Sequence, residues 1–210
     1  MKTKSFFTCI SIYLLFILFC SNHLQSQDVV SYVDNDLITD TLFFENGMIK
    51  NIRIYNNDMS LMYVKLFDKN RRTILAEGKY LNQQKDSVWN IYSVGDFILN
   101  RIEYKNDKKN GLEYTFYPNG EVAEIKEWKD DVQHGVWKQY FMGGVLKTDA
   151  TYFNGSLEGK ITYYHHNSKP LLGGVYQNGL REGKWIYFDE EGNIVKEENY
   201  KDGFLIEDIQ

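Results

Sequence analysis

The 210-residue chain is short of most of what usually marks a protein's chemistry, and each shortage excludes something. Its two cysteines, Cys9 and Cys20, both lie within the first twenty residues. A mature chain beginning near Gln27 then has no thiol for a disulfide, a nucleophile or a cysteine-based metal site. Packing and strand pairing must hold it together. Only two prolines occur, Pro118 and Pro170, and there is no Ser- or Pro-rich linker, so one continuous unit is the simplest organisation. The copies described below are poor in alanine and leucine and lack sustained 3.6-residue spacing, which excludes a helical repeat. Neither glycine-rich phosphate-loop pattern is present in a strand-to-helix context, and no nucleophile elbow or calcium-loop spacing appears. Excess positive charge is missing too. The net charge is −5, and −7 once Lys2 and Lys4 are set aside, which argues against a nucleic-acid or anionic-membrane partner.

What is present is a period. Gly111, Gly135, Gly159 and Gly183 lie 24 residues apart, and four other columns keep the same step. Five residues on, the side chain is aromatic (Phe116, Tyr140, Tyr164, Phe188). Nine residues on come Gly120, Gly144, Ser168 and Gly192. Seventeen on are Trp128, Tyr152, Tyr176 and Tyr200, and twenty on Asp131, Gly155, Gly179 and Gly203. Stepping back reaches Ser87 with Trp89, Tyr92 and Tyr104, then a weaker copy from Tyr63 and a weaker one still near Thr39. That makes five clear copies over 87–210 and two degenerate ones over 39–86. Each reads as a β-hairpin: Gly183 to Phe188 as one strand, a polar loop to Asn193, and Ile194 to Tyr200 returning. Links such as Asn178-Gly179 are strong turn signals, because both residues tolerate positive φ.

The fold expected is all-β, an elongated single-layer antiparallel meander of stacked hairpin repeats. Segment 27–38 would cap one end and Phe204 to Ile206 the other. Trp185 and Tyr187 should share one sheet face, Ile186 and Phe188 the other, which leaves apolar bulk on both. The aromatic columns are expected to pack copy against copy. Phe153, Tyr163 and Tyr187, outside those columns, are candidates for a surface role.

The pattern Gly-x-Trp-x-x-Tyr-Phe, followed by Tyr-x-Asn-Gly-x-x-x-Gly, resembles the MORN repeat in its bacterial, antitoxin-component-like variant. Gly135 to Phe141 and Gly183 to Phe188 match best, with Tyr152 to Gly155 and Tyr176 to Gly179 as the linking half. The resemblance implies a scaffold, an adaptor or a membrane-associated platform, and it brings no catalytic residue with it. Glu113 and Ile161 stand where the repeat favours tryptophan, so their copies are expected to be less regular.

Lys2 and Lys4 precede an uncharged apolar stretch from Phe6 to Cys20, the layout of a signal peptide over 1–26. Export to the cell envelope or beyond follows as an expectation. A lipid anchor on Cys20 is the lesser reading, since bulky Phe19 precedes that cysteine.

No catalytic, cofactor-binding or metal-binding residue is assigned. His165 and His166 are adjacent and, in a strand, point to opposite faces, while His134 precedes a link glycine. The carboxylates at 130–131, 189–191, 197–198 and 207–208 read as solvated turns, because nothing selects a pair with hydrolase spacing. The expected function is therefore an exported, non-enzymatic, protein-binding scaffold in the bacterial envelope. Alternatives are an antitoxin-like neutralising protein and a glycan- or lipid-binding envelope protein.

Overall fold

The computed structural model describes residues 29–209, apart from Asn35, Arg71 and Arg72. The signal-peptide reading, Cys9 and Cys20 lie outside the described residues. Within them the chain is a single sheet of seventeen strands without a helix. The N-terminal part holds β1 (Val29–Asp34), β2 (Leu37–Phe43), β3 (Ile49–Asn56), β4 (Leu61–Phe67), β5 (Ile74–Leu81) and β6 (Gln84–Tyr92). There follow β7 (Ile98–Lys105), β8 (Lys108–Phe116), β9 (Val122–Lys129), β10 (Val132–Tyr140) and β11 (Leu146–Phe153). The last are β12 (Ser156–Leu157), β13 (Gly159–Tyr164), β14 (Pro170–Gln177), β15 (Leu180–Phe188), β16 (Ile194–Lys201) and β17 (Phe204–Ile209). Neighbours in sequence pair antiparallel throughout. The one adjustment is that β12 and β13 both pair with β11, as two halves of one line broken at Glu158. The degenerate copies form hairpins as complete as the clear ones.

Two turn geometries alternate, and they explain two of the columns. Hairpin loops close with a backbone bond such as Gly192 N to Asp189 O (3.1 Å), and the residue nine beyond the repeat glycine takes positive φ there (Gly192, +92°). Ser168 (+68°) holds the same conformation without glycine. Links are two-residue turns in which both residues have positive φ, as in Asn178 (+52°) and Gly179 (+80°). From sequence alone the strand starts at Gly183, six residues long, which leaves Leu180 to Glu182 to the link. Instead β15 begins at Leu180 and absorbs Gly183 in a bulge, with the register shifting between Gly173 and Val175 of the facing strand. Strands are thus eight or nine residues long in most copies, not about six.

The copy built on Glu113 is not irregular, whereas the copy built on Ile161 is the one whose first strand is broken at Glu158; the register of the repeat glycines is nevertheless kept in both. Gly111 pairs with Trp128, Gly135 with Tyr152, Gly159 with Tyr176 and Gly183 with Tyr200, in one register. Turn chemistry sets that register, so the tryptophan can be replaced without disturbing it.

The core is a line of side chains along one face rather than an interior. Trp89, Ile102, Ala150, Ile161 and Trp185 are buried on it, and Trp185 is fully so. Trp185 meets Tyr176 of the preceding copy edge-on at 5.1 Å and Tyr200 of its own at 6.2 Å. Trp89 repeats this with Tyr80 and Tyr104, at 5.1 and 6.4 Å. Cations roof the column. Lys85 lies over Trp89, Lys109 over Trp128 and Arg181 over Trp185, with centroid distances of 4.8, 4.5 and 4.2 Å. The bulkiest residue faces the smallest of the preceding strand: Gly78 lies under Trp89 and Gly174 under Trp185.

Both margins are stitched copy to copy. On the link side, Lys109 N donates to Asp131 Oδ1 (2.7 Å) while Asp131 N donates to the Lys109 carbonyl (3.0 Å). On the loop side, Tyr117 donates to the Tyr140 carbonyl at 2.7 Å. Each copy therefore bonds chiefly to its neighbours, as in other one-dimensional arrays.

Candidate functional site

With one face filled by the aromatic column, the opposite face is the one left open. Residues directly opposite across paired strands share a face. The lines Ile52, Lys65, Glu77, Asn90 and Ile54, Tyr63, Lys79, Asp86 therefore lie together on the open face. There they border a groove of about 660 Å³ over the N-terminal copies, walled by Ile52, Ile54, Tyr63 and Val88 and edged by Lys65 and Glu77. Tyr63 and Val88 are 50% and 42% exposed. A smaller groove of about 370 Å³ recurs on the same face further along, where Gly173 carries no side chain between Thr162 and Ile186.

The open face is laced with cross-strand ion pairs at and between the grooves: Lys65 to Glu77 (3.3 Å) at the first, Lys138 to Asp149 (3.6 Å) between them and Lys184 to Glu197 (2.9 Å) at the second. Exposed pairs of this kind add little stability. They keep the face soluble and leave the apolar groove as its distinctive feature. Tyr92 donates to Glu77 at 2.6 Å; burial, aided by that carboxylate, pushes the Tyr92 hydroxyl up to about 12. The Tyr92 hydroxyl therefore keeps its proton, and its bond to Glu77, at neutral pH.

The residues suggested by sequence are placed as follows. Phe153 is exposed, and its ring lies 5.1 Å from that of His134. Tyr163 and Tyr187 are not surface groups; both pack against the cluster of Ala150, Ile161 and Trp185. The place four residues beyond the repeat glycine lies on the core face, but it is aromatic only in these two copies, Thr115 and Gln139 holding it elsewhere, so it forms no column in the sequence. Trp185 and Tyr187 do share that face. His165 and His166 have separate tasks: His165 Nε2 lies 3.1 Å from the Phe188 carbonyl, and His166 stacks on Phe141 at 3.7 Å. His134 accepts a long bond from Asn154 N (3.4 Å). Among the described residues no three His, Cys, Asp or Glu side chains are placed to hold a metal ion.

One carboxylate departs from the solvated-turn reading. Glu198 is 7% exposed on the core face, beside Trp185. It accepts from Lys196 Nζ (2.7 Å), Tyr187 (2.5 Å) and Tyr200 (2.9 Å), with Arg181 at 3.7 Å. The Lys196 ammonium, then the Tyr187 and Tyr200 hydroxyls, hold its carboxyl at about 2 against an ordinary 4.5, despite its burial. A depressed folded-state value means that its contribution is complete above the ordinary value and is lost as pH falls through about 2. Glu198→Gln should cost about 2 kcal/mol at neutral pH, with the deficit closing as pH approaches 2. Chemical denaturation of both chains between pH 7 and pH 2 checks this, and a deficit independent of pH contradicts it. The acid completes the packing where Trp185 has no glycine opposite it; it faces no groove.

The groove residues were not singled out from sequence, because they fall in the two degenerate copies. The structure supplies the missing phase: Asn51 and Tyr55 are buried, so Ile52 and Ile54, of opposite parity, point the other way.

The family description "MORN repeat variant" matches residues 109–130 and 181–202, two stretches in the same frame of the repeat. No curated protein matches the chain.

Proposed function

The chain is a MORN-repeat protein, and on that premise we propose that it is an exported, non-enzymatic scaffold whose open sheet face binds another protein in the bacterial envelope. MORN repeats are generally associated with protein or membrane-lipid binding, and the family is of a binding type. The observation that carries the protein reading is the division of labour between faces. One side is consumed by the aromatic column, whereas the other offers apolar grooves between fixed pairs of opposite charge. Such a surface suits an extended partner segment that places apolar side chains in the grooves and polar groups on the ion pairs. It lacks the unbroken cationic character that an anionic bilayer favours. The basic and then apolar sequence of residues 2–20 supports export.

Cross-linking in the native host, followed by capture of the tagged full-length chain and fractionation, tests the reading. Recovery from the envelope with one enriched protein cross-linked through the open face is expected. Recovery from the cytoplasm bound to a neighbouring toxin favours the antitoxin alternative and sinks the envelope scaffold. Flotation with liposomes at physiological salt, without a protein partner, moves the assignment to lipid.

A further inference from the structure

The two outermost strands are halves of repeat copies, and they are opposite halves. Across a hairpin loop the closing pair is six residues apart, as in Phe43 with Ile49 and Phe188 with Ile194, except for Phe67 with Ile74, which are seven apart. Across a link it is three apart, as in Lys105 with Lys108 and Gln177 with Leu180, except at the longer β3–β4 link, where the last pair is Tyr55 with Met62. β1 joins β2 by the link geometry, Asp34 with Leu37, so β1 is the second strand of a copy. β16 joins β17 by the same geometry, Lys201 with Phe204, so β17 is the first strand of a copy. Among the described residues neither has a neighbour on its outer side.

Protection at the edges is slight: β17 has one bulge, at Ile206, and carries Glu207 and Asp208, whereas β1 has no bulge and no charge before Asp34. Val29, Val30, Tyr32 and Val33 are at least half exposed, and β1 pairs with β2 without a bulge. At the other end Phe204, Leu205 and Ile206 are 76%, 49% and 60% exposed. Neither strand carries a lysine, and proline is absent from both. Natural edges usually have such devices, because a flat apolar edge invites another strand.

We propose that the occupant of each edge is a second copy of this chain, β17 of one molecule pairing antiparallel with β1 of the next to complete an intermolecular hairpin copy. The strand directions suit this, since first and second strands alternate and are antiparallel everywhere else in the array. The register follows as well. Residue 209 is level with Glu197, and Val30 holds the corresponding place in β1, four residues before its link pair as Glu197 is before Lys201. Ile206, the extra residue of a bulge in β17, then lies level with Val33 of the next copy, apolar beside apolar, next to Leu205 on the aromatic-column side opposite Tyr200. The contact is heterologous, so it propagates into filaments or closes into a ring, and the open faces of successive molecules align. A foreign strand added to either edge is the competing occupant.

The test uses the full-length chain as produced and processed by its host, with Cys9 and Cys20 replaced by serine. Sedimentation velocity should show larger species growing with concentration, and either Val33→Lys or Ile206→Lys should abolish them without changing the melting temperature. Mixing a Val33→Cys chain with an Ile206→Cys chain under oxidation should give a cross-linked dimer. Replacing the second chain with Phe204→Cys, which lies opposite Lys201 on the other face, should not. A single monomeric species at every concentration overturns the proposal. So does cross-linking of Val33→Cys chains with one another, which would mean like edges pair. An unrelated protein captured at β1 or β17 in place of a second copy would overturn it as well.

Discussion

Trp185→Ala is expected to lower stability by about 4 kcal/mol, the upper range for a buried tryptophan. The side chain is fully buried, and Tyr176, Tyr200 and Arg181 all rest on it, so truncation removes the centre of four packed groups. Because copies bond mainly to their neighbours, the loss should be local. Hydrogen exchange ought to accelerate across β13 to β16 while β6 to β8, organised around Trp89, stay protected. Uniform acceleration along the chain would show a single cooperative unit instead. The two tryptophans should also answer differently to phenylalanine. Trp89 Nε1 donates to the Lys79 carbonyl at 3.1 Å, whereas Trp185 Nε1 has no hydrogen-bond partner among the described residues. Trp89→Phe therefore forfeits a bond that Trp185→Phe does not, and it should be the more damaging by about 1 kcal/mol.

Gly174 gives the second large effect, and it acts through space rather than through backbone strain. Its φ lies outside the left-handed region, so alanine is conformationally acceptable there. A Cβ on it would nevertheless fall inside the indole of Trp185, a ring that burial on every side holds in place. Gly174→Val should cost about 3 kcal/mol or more. Gly120 is the informative contrast. Nothing lies within 4 Å of its added Cβ, but its φ is +85°, so Gly120→Ala pays only backbone strain, about 1 kcal/mol. The diagnostic result is a double-mutant cycle by denaturant unfolding. Gly174→Ala should be strongly destabilising in the parent and nearly neutral once Trp185 is alanine, because the obstruction has gone. Additive effects would mean that Gly174 is required for some reason other than the indole above it.

Much of the architecture is legible in the sequence because each column answers a local requirement. The glycines and Ser168 nine residues into the copies sit at positive φ, and the Asn-Gly links are two-residue turns with both φ positive. Such requirements recur with the chain and need no knowledge of the fold. The role of each face is harder to read. Strand parity is interrupted twice per copy, near Gly183 and again between Tyr187 and Phe188, so alternation counted along the sequence loses its phase. Tyr163 and Tyr187 have a different difficulty: they lie outside the recurring aromatic columns, so their packing on the column face does not show as a repeat. The link length was overestimated because Leu180 to Glu182 look like loop residues until the bulge at Gly183 is recognised. The groove was hidden for a different reason. It depends on Ile54 facing Tyr63 and on Ile52 facing Lys65, cross-strand pairs in the copies where the repeat signal is faintest.

The central claim is that one face of this sheet folds the protein and the other binds. Capture of the host partner by the Tyr63→Ser/Val88→Ser chain, with melting recorded on the same preparation, tests it most directly. Both side chains are half exposed on the groove, so the melting temperature should hardly move, whereas cross-linked capture should be lost. Undiminished capture, or a loss of stability comparable to that of Trp185→Ala, would contradict the division between the two faces.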